Sequence, residues 1–316
     1  MTSNLGHITQ TIFDGKHVQV LHAPNESDWT LLTFDIMHAR ANGKVAFASK
    51  LAQALGVNFI GVVPKYPCWY PKHEMDELTD LIKGKRIGPM LAYGASMGGY
   101  GALRWGSLCG AHSTLACSPQ ATIEPSLLGE RDKRYQLRYI SELHAGMRVN
   151  EEHLAERNFV IVDRFFKNDF VQANLLPASD SLRTIFAPFM FHSTAKCVSG
   201  RENAAQIFHA ALEGDHAAIK AAIRRKRVTA FERAVNIAKT CNRKHRPLLA
   251  EKIVERLKET HPVDYALVTA DAMRRSGRSN EARELYLGII ERDKGHKLAK
   301  QHLSALNTNC EFDVQK

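Results

Sequence analysis

Residues 91–103 read "LAYGASMGGYGAL", four glycines in thirteen residues, set directly behind an apolar run and enclosing one serine, Ser96. Gly94-Ala95-Ser96-Met97-Gly98 fits the pattern G-x-S-x-G, and Gly99 extends it. "MLAY" before the serine has the look of a strand, while "GGYGALRW" after it opens a helix, so Ser96 falls at a strand-to-helix turn. A serine at such a turn is held in a strained backbone conformation, and only hydrogen side chains let strand and helix pass that closely. The turn lifts the hydroxyl clear of the sheet and sets it among the free N–H groups of a helix N-terminus. There the N–H of Met97 becomes one half of an oxyanion hole. A phosphate-binding turn is the rival reading. A dinucleotide fingerprint, however, wants G-x-G-x-x-G at the first strand with an acidic residue about twenty positions on, and this turn follows the fourth or fifth apolar run.

Outward from the turn, short runs rich in β-branched and aromatic residues mark further strands: "HVQVLHA" from His17, "WTLLTFDIM" from Trp29, "VNFIGVVP" from Val57, "PMLAYG" from Pro89, "STLACSP" from Ser113, "FVIVDRFF" from Phe159 and "RTIFAPF" from Arg183. Between them "GKVAFASKLAQALG" and "EMDELTDLIKG" carry apolar residues three and four apart and end in glycine, as helices do. Strand and helix in alternation predict an α/β fold with a mostly parallel sheet covered on both faces. Past residue 200 the strand-like runs stop and amphipathic helices follow one another, with Ala204, Ile207, Phe208, Ala211 and Leu212 as one apolar stripe and Phe231, Ala234, Val235 and Ala238 as another. "DYALVTADAMRRSGRSNEARELYLGIIERD" resembles one tetratricopeptide repeat, with Gly277 at its turn and Ala282 and Tyr286 where the second helix needs a small residue and an aromatic. "LLAEKIVERLKETHP" is a poorer match for the second helix of a preceding repeat.

Residues 10–200 resemble the α/β-hydrolase family on these motifs. The expected division is an α/β-hydrolase domain over 1–200, with 122–158 as a cap insertion, and a helical tetratricopeptide-like region over 201–316. The family orders its triad as nucleophile, acid, histidine, so the resemblance implies Ser96 as nucleophile and partners downstream. Asp169 in "KNDFVQA" is the favoured acid, Asp163 at the strand end is the alternative, and Glu124 is a weaker one. His192 in "APFMFHSTAKC" falls where the family histidine is expected, although Phe191 stands where many relatives have glycine. A second oxyanion donor is expected near Ile36, in the loop 35–37, which lacks an HGGG motif. On this reading His192 takes the serine proton, the carboxylate holds the imidazole, and Ser96 attacks an acyl carbon.

Around that centre, Tyr66, Trp69 and Tyr70 in "PKYPCWYP" lie on a loop after a strand carboxyl end, the side where such sheets bind ligands, and suit stacking on a sugar or packing in the core. Arg131, Lys133, Arg134 and Arg138 in the insertion suit either an anionic or sugar substrate or a solvated helix face. The expected function is a serine esterase or acyltransferase for a glycan or other acylated polar molecule. The alternative is a non-catalytic hydrolase-like scaffold whose helical tail binds a protein partner or a second copy. "GVVPKYPCWYP", "YGASMGGYGAL" and "CSPQ" together also look, more loosely, like hydrolase-like proteins of bacterial polysaccharide gene clusters.

Composition limits the remaining classes. The 316 residues are 44% hydrophobic and 24% charged, globular values. Lys plus Arg outnumber Asp plus Glu by 43 to 33, a net charge of +10, but no nucleic-acid motif accompanies the charge. No apolar run approaches the length of a membrane span, and the N-terminal residues show no secretory pattern. The six cysteines are scattered, with neither a CxxC pair nor zinc spacing. No cofactor or metal is expected, and a cytoplasmic location with reduced thiols is.

Overall fold

All seven apolar runs become strands; six of them bury side chains on both faces of a sheet, and the edge strand from "RTIFAPF" buries only Ile185 fully. The computed structural model describes residues 9–313, with side chains described through residue 306. Its strands are β1 (Gln10–Asp14), β2 (Val18–Ala23), β3 (Thr30–Phe34), β4 (Asn58–Pro64), β5 (Met90–Ala95), β6 (Ser113–Cys117), β7 (Arg157–Val162) and β8 (Leu182–Phe186). They form one sheet in the order β1-β2-β4-β3-β5-β6-β7-β8. β2 runs antiparallel to β1 and β4, and every pairing from β4 to β8 is parallel. This is the strand order of the α/β-hydrolase fold. β3, β4 and β5 are buried along their whole length, as a sheet covered on both faces requires. β1, "QTIFD", escaped the sequence because an edge strand has no continuous buried run to show.

The helices are α1 (Ser49–Leu55), α2 (Lys72–Lys83), α3 (Met97–Trp105), α4 (Pro125–Leu128), α5 (Ser141–His144), α6 (Lys167–Asn174), α7 (Arg201–Glu213), α8 (His216–Thr229), α9 (Phe231–Arg243), α10 (Pro247–Val254), α11 (Pro262–Arg275), α12 (Ser279–Arg292) and α13 (Lys297–Asp313). α1 is half the length expected from "GKVAFASKLAQALG", because Ala48 takes a left-handed conformation (φ 59°) and the helix starts only after it. Residues 122–158, expected as an insertion, carry α4, α5, short 3-10 turns and the first residues of β7.

Internal contacts divide the chain into two compact units, Met1–Val228 and Thr229–Lys316. The division falls later than residue 200 because α7 packs on the sheet. Phe208 is fully buried, and its ring lies 5.1 Å from that of Tyr93 on β5 and 6.2 Å from that of Trp29. α8 follows it, with His216 stacked on Phe159 of β7. The second unit, described by itself, holds α9–α13 around two small cores, one centred on Ala234, Ala238, Ala250 and Val254, the other on Ala270, Ala282, Tyr286 and Ile289. Gly277 turns the chain between α11 and α12 at φ 79°. Among the described residues, no helix is long and apolar enough to cross a membrane, and no cluster of His, Cys, Asp or Glu could hold a metal ion. The side chain of Cys310 lies outside the described residues.

Candidate active site

The carboxyl ends of β5, β6, β7 and β8 deliver the site. β5 ends at Ala95, and Ser96 turns the chain into α3 with φ 55° and ψ −121°, a conformation that costs an L-residue energy and is kept only where surroundings enforce it. They do: the Ser96 N–H donates to Cys117 O of β6 at 2.9 Å, and Tyr100 N–H donates to Ser96 O at 3.0 Å. The glycines answer to contact. A Cβ on Gly94 would lie 2.1 Å from Gly98 O, and one on Gly98 would lie 2.1 Å from Phe34 O of β3. The Met97 N–H, in the first turn of α3, takes no acceptor among the described residues.

His192 comes from the loop after β8. Its Nε2 lies 3.0 Å from Ser96 Oγ, and its Nδ1 lies 2.8 and 3.0 Å from the two oxygens of Asp169. A carboxylate only accepts, so Nδ1 carries the ring proton and Nε2 is left to accept from the serine hydroxyl. Asp169 stands in the first turn of α6 and is 1% exposed. Among the carboxylates that the sequence left open, the structure brings Asp169 to His192, and the other two are placed elsewhere. Asp163 accepts from Phe165 N–H at 2.9 Å and Phe191 N–H at 2.8 Å; burial pushes its carboxyl up against these donors. Glu124 accepts from Ser126.

Phe191 takes φ 48°, the left-handed region that glycine favours. The departure from glycine therefore leaves the loop geometry intact, its strain held by the Asp163 anchor and by stacking of Phe191 on Phe166 at 5.4 Å. Thr194, just beyond the histidine, is tied through its hydroxyl to Ser118 at 2.8 Å.

Two residues at the centre were not read from the sequence. Gln120, past the end of β6, places its Nε2 3.1 Å from Ser96 Oγ. Tyr135, within 122–158, lies close enough to Ser96 for the two side chains to interact. Their signals are weak because neither belongs to a motif. Arg134, beside Tyr135, donates from Nη1 to Asp169 at 2.8 Å and grips Asp132 with Nε and Nη2 at 2.9 and 2.8 Å. Its guanidinium is thereby engaged within the protein. Arg131 donates to backbone carbonyls, Lys133 pairs with Glu130, and Arg138 is exposed.

Of the two roles open to the aromatic loop after β4, the structure gives Trp69 and Tyr70 the packing one. Trp69 (φ 47°) and Tyr70 (φ 52°) turn inward and are 1% and 0% exposed. Tyr70 donates to Asp35 O, and Trp69 packs behind Tyr135 with ring centroids 5.5 Å apart. Tyr66 pairs with His17. The buried rings of Trp69 and Tyr70 offer a ligand no free face, while Tyr66 is partly exposed. Ile36 is corrected: its N–H donates to the Asp35 carboxylate at 3.2 Å, which also accepts from Phe47 N–H at 2.7 Å. Burial raises the Asp35 carboxyl to about 6, against the pull of those two N–H groups.

Burial pushes the thiols of Cys68 and Cys109 up to about 12, and that of Cys117, beside Ser96, also rises.

No protein-family model and no curated protein matches the chain. Among solved structures it is similar to a capsule O-acetyltransferase of Neisseria meningitidis serogroup A, at 14% identity and a TM-score of 0.41 over 58% of this chain and 88% of that one. It is also similar to mouse alpha/beta hydrolase domain-containing protein 10, at 9% identity and a TM-score of 0.38 over 69% and 96%. A lidless serine hydrolase from Xanthomonas campestris matches at 15% identity and 0.33 over 66% and 88%. At these values the likeness says nothing of activity, and the fold assignment stands on the strand order.

Proposed function

We propose that this chain is a serine-dependent enzyme that cleaves an acyl ester through an acyl-Ser96 intermediate. The observation that carries the reading is the unbroken relay from Ser96 Oγ to His192 at 3.0 Å and from His192 to the buried Asp169 at 2.8 Å. In the first step Ser96 Oγ bonds to the acyl carbon while His192 Nε2 takes its proton. Asp169 holds the ring in the required tautomer and stabilises its cation. Met97 N–H and the N-terminal end of α3 face the developing oxyanion. His192 then returns the proton to the leaving alkoxide, and the acyl-enzyme remains. Water completes an esterase cycle; an alcohol completes an acyl transfer. A glycan or other acylated polar molecule is the substrate class we favour, on the strength of the polar side chain of Gln120 set against Ser96 Oγ at 3.1 Å.

The test is a fluorophosphonate probe on wild-type, Ser96→Ala and His192→Ala proteins. Labelling of the wild type and its loss in both variants is the expected result. A folded wild type that stays unlabelled sinks the enzyme reading and leaves a hydrolase-like scaffold.

A further inference from the structure

We propose that the side-chain amide of Gln120 is the second oxyanion donor of this site. The inference rests on the serine-enzyme reading above and adds to it. The loop after β3, where a second backbone donor was expected, has already given its Ile36 N–H to the Asp35 carboxylate. Across β5, on the other flank of the serine, β6 runs into Ser118, Pro119 and Gln120. Gln120 is 0% exposed, and its Nε2 donates one hydrogen to Ser96 Oγ at 3.1 Å. A primary amide carries two hydrogens, and the second has no acceptor among the described residues. Its Oε1 is buried with no hydrogen-bond partner among the described residues. A buried amide left half satisfied is a penalty that packing alone does not return, and such groups mark places where function has set the side chain.

The amide is also held still. Ser118 N–H donates to Ile161 O at 2.8 Å, and Ala121 N–H donates to Gln172 Oε1 at 2.8 Å. Gln172 in turn donates to Asp132 at 3.0 Å, the carboxylate gripped by Arg134. One network thus fixes both the triad acid and the Gln120 loop, which is the preorganisation an oxyanion donor needs.

As Ser96 Oγ bonds to the carbonyl carbon, the carbonyl π pair moves onto its oxygen, which is then bonded to the same carbon as Oγ. A donor resting on Oγ is therefore within reach of that oxygen, and Gln120 Nε2 meets it opposite Met97 N–H. When the intermediate collapses the pair returns, the bond to the leaving alkoxide breaks, and the alkoxide takes the proton held by His192.

The experiment uses the full chain as wild type, Gln120→Leu, the near-isosteric Gln120→Glu, and Tyr135→Phe. Each is assayed for its second-order fluorophosphonate labelling rate and for kcat and KM with p-nitrophenyl acetate, with circular dichroism and melting as checks on folding. Loss of the donor lowers kcat and the labelling rate by about 10²–10³-fold in both Gln120 variants, with KM nearly unchanged. The proposal is overturned if the wild type labels and a folded Gln120 variant keeps its kcat within roughly threefold, if only KM moves, or if Tyr135→Phe alone produces the loss. An unlabelled wild type overturns the serine-enzyme reading itself, and is told apart because it precedes any comparison of variants.

Discussion

Asp163 and Asp169 are carried by the same segment after β7 and are 0% and 1% exposed, yet they spend their oxygens on different kinds of partner. Asp163 meets backbone N–H groups of Phe165 and Phe191, donors that never change charge. Asp169 meets the His192 ring, which gains a proton in the proposed reaction, and the guanidinium of Arg134. Burial makes an ionised carboxylate costly in both places. A carboxylate answered by fixed amides works as a bracket, here one that pins the strained loop holding the histidine. A carboxylate answered by a titratable ring responds to each proton transfer. Proximity to the strand end did not separate the two; the chemistry of their partners did.

The comparison is most easily broken by isosteric replacement. Asp169→Asn is expected to lower kcat about 10³–10⁴-fold with melting little changed, because the imidazole loses the partner that fixes its tautomer. Asp163→Asn, assayed beside it, should retain far more activity. A reversed ranking in steady-state assays would make Asp163 the acid.

Next in size is Arg134. Arg134→Met and Arg134→Lys should both cost about 10–100-fold in kcat/KM, since a lysine cannot bridge Asp132 and Asp169 with one planar fork and a misplaced acid misplaces the base. Full rescue by lysine would mean that charge alone is required.

Asp163→Asn itself should destabilise the fold by about 1–3 kcal/mol in denaturant titrations, because an amide cannot accept from the same set of N–H donors. Unaltered stability would remove its bracket role.

The smallest effect concerns Asp35. Its folded carboxyl is raised to about 6 from 3.8. Stability is therefore fully present below the unfolded value and is lost as pH rises through about 6. Asp35→Asn should abolish that loss, so the variant gains about 1–3 kcal/mol on the wild type between pH 4 and pH 7.5. Parallel stability curves would show that Asp35 is ionised at little cost.

The fold was legible because seven strands show as short apolar, β-branched and aromatic runs, and the β5 turn because glycine density reports how closely β5, α3 and β3 pass. The histidine and the three candidate acids, with Asp169 favoured over Asp163 and Glu124, followed from the triad order of the family the chain resembles; the distances then set Asp169 against His192. Trp69 and Tyr70 stayed open between stacking on a ligand and packing in the core because loop composition does not reveal that two successive left-handed residues fold the rings inward. Gln120 and Tyr135 were hidden for a different reason: they come to the site across the fold, from a β6 loop and from residues 122–158, and belong to no motif. Arg134 was read as a substrate or surface cation, and its part as a bridge between Asp132 and Asp169 needed the fold to show it.

The crossing of Gly94 and Gly98 bears on inheritance. Each occupies space that the backbone of another element claims, so neither can grow a side chain without moving β5, α3 or β3. A descendant that abandoned catalysis would be free to exchange Ser96, His192 or Gln120, yet it would keep both glycines merely to fold. In any set of related sequences, then, the glycines testify to ancestry, and the polar residues around them testify to whether the chemistry is still in use.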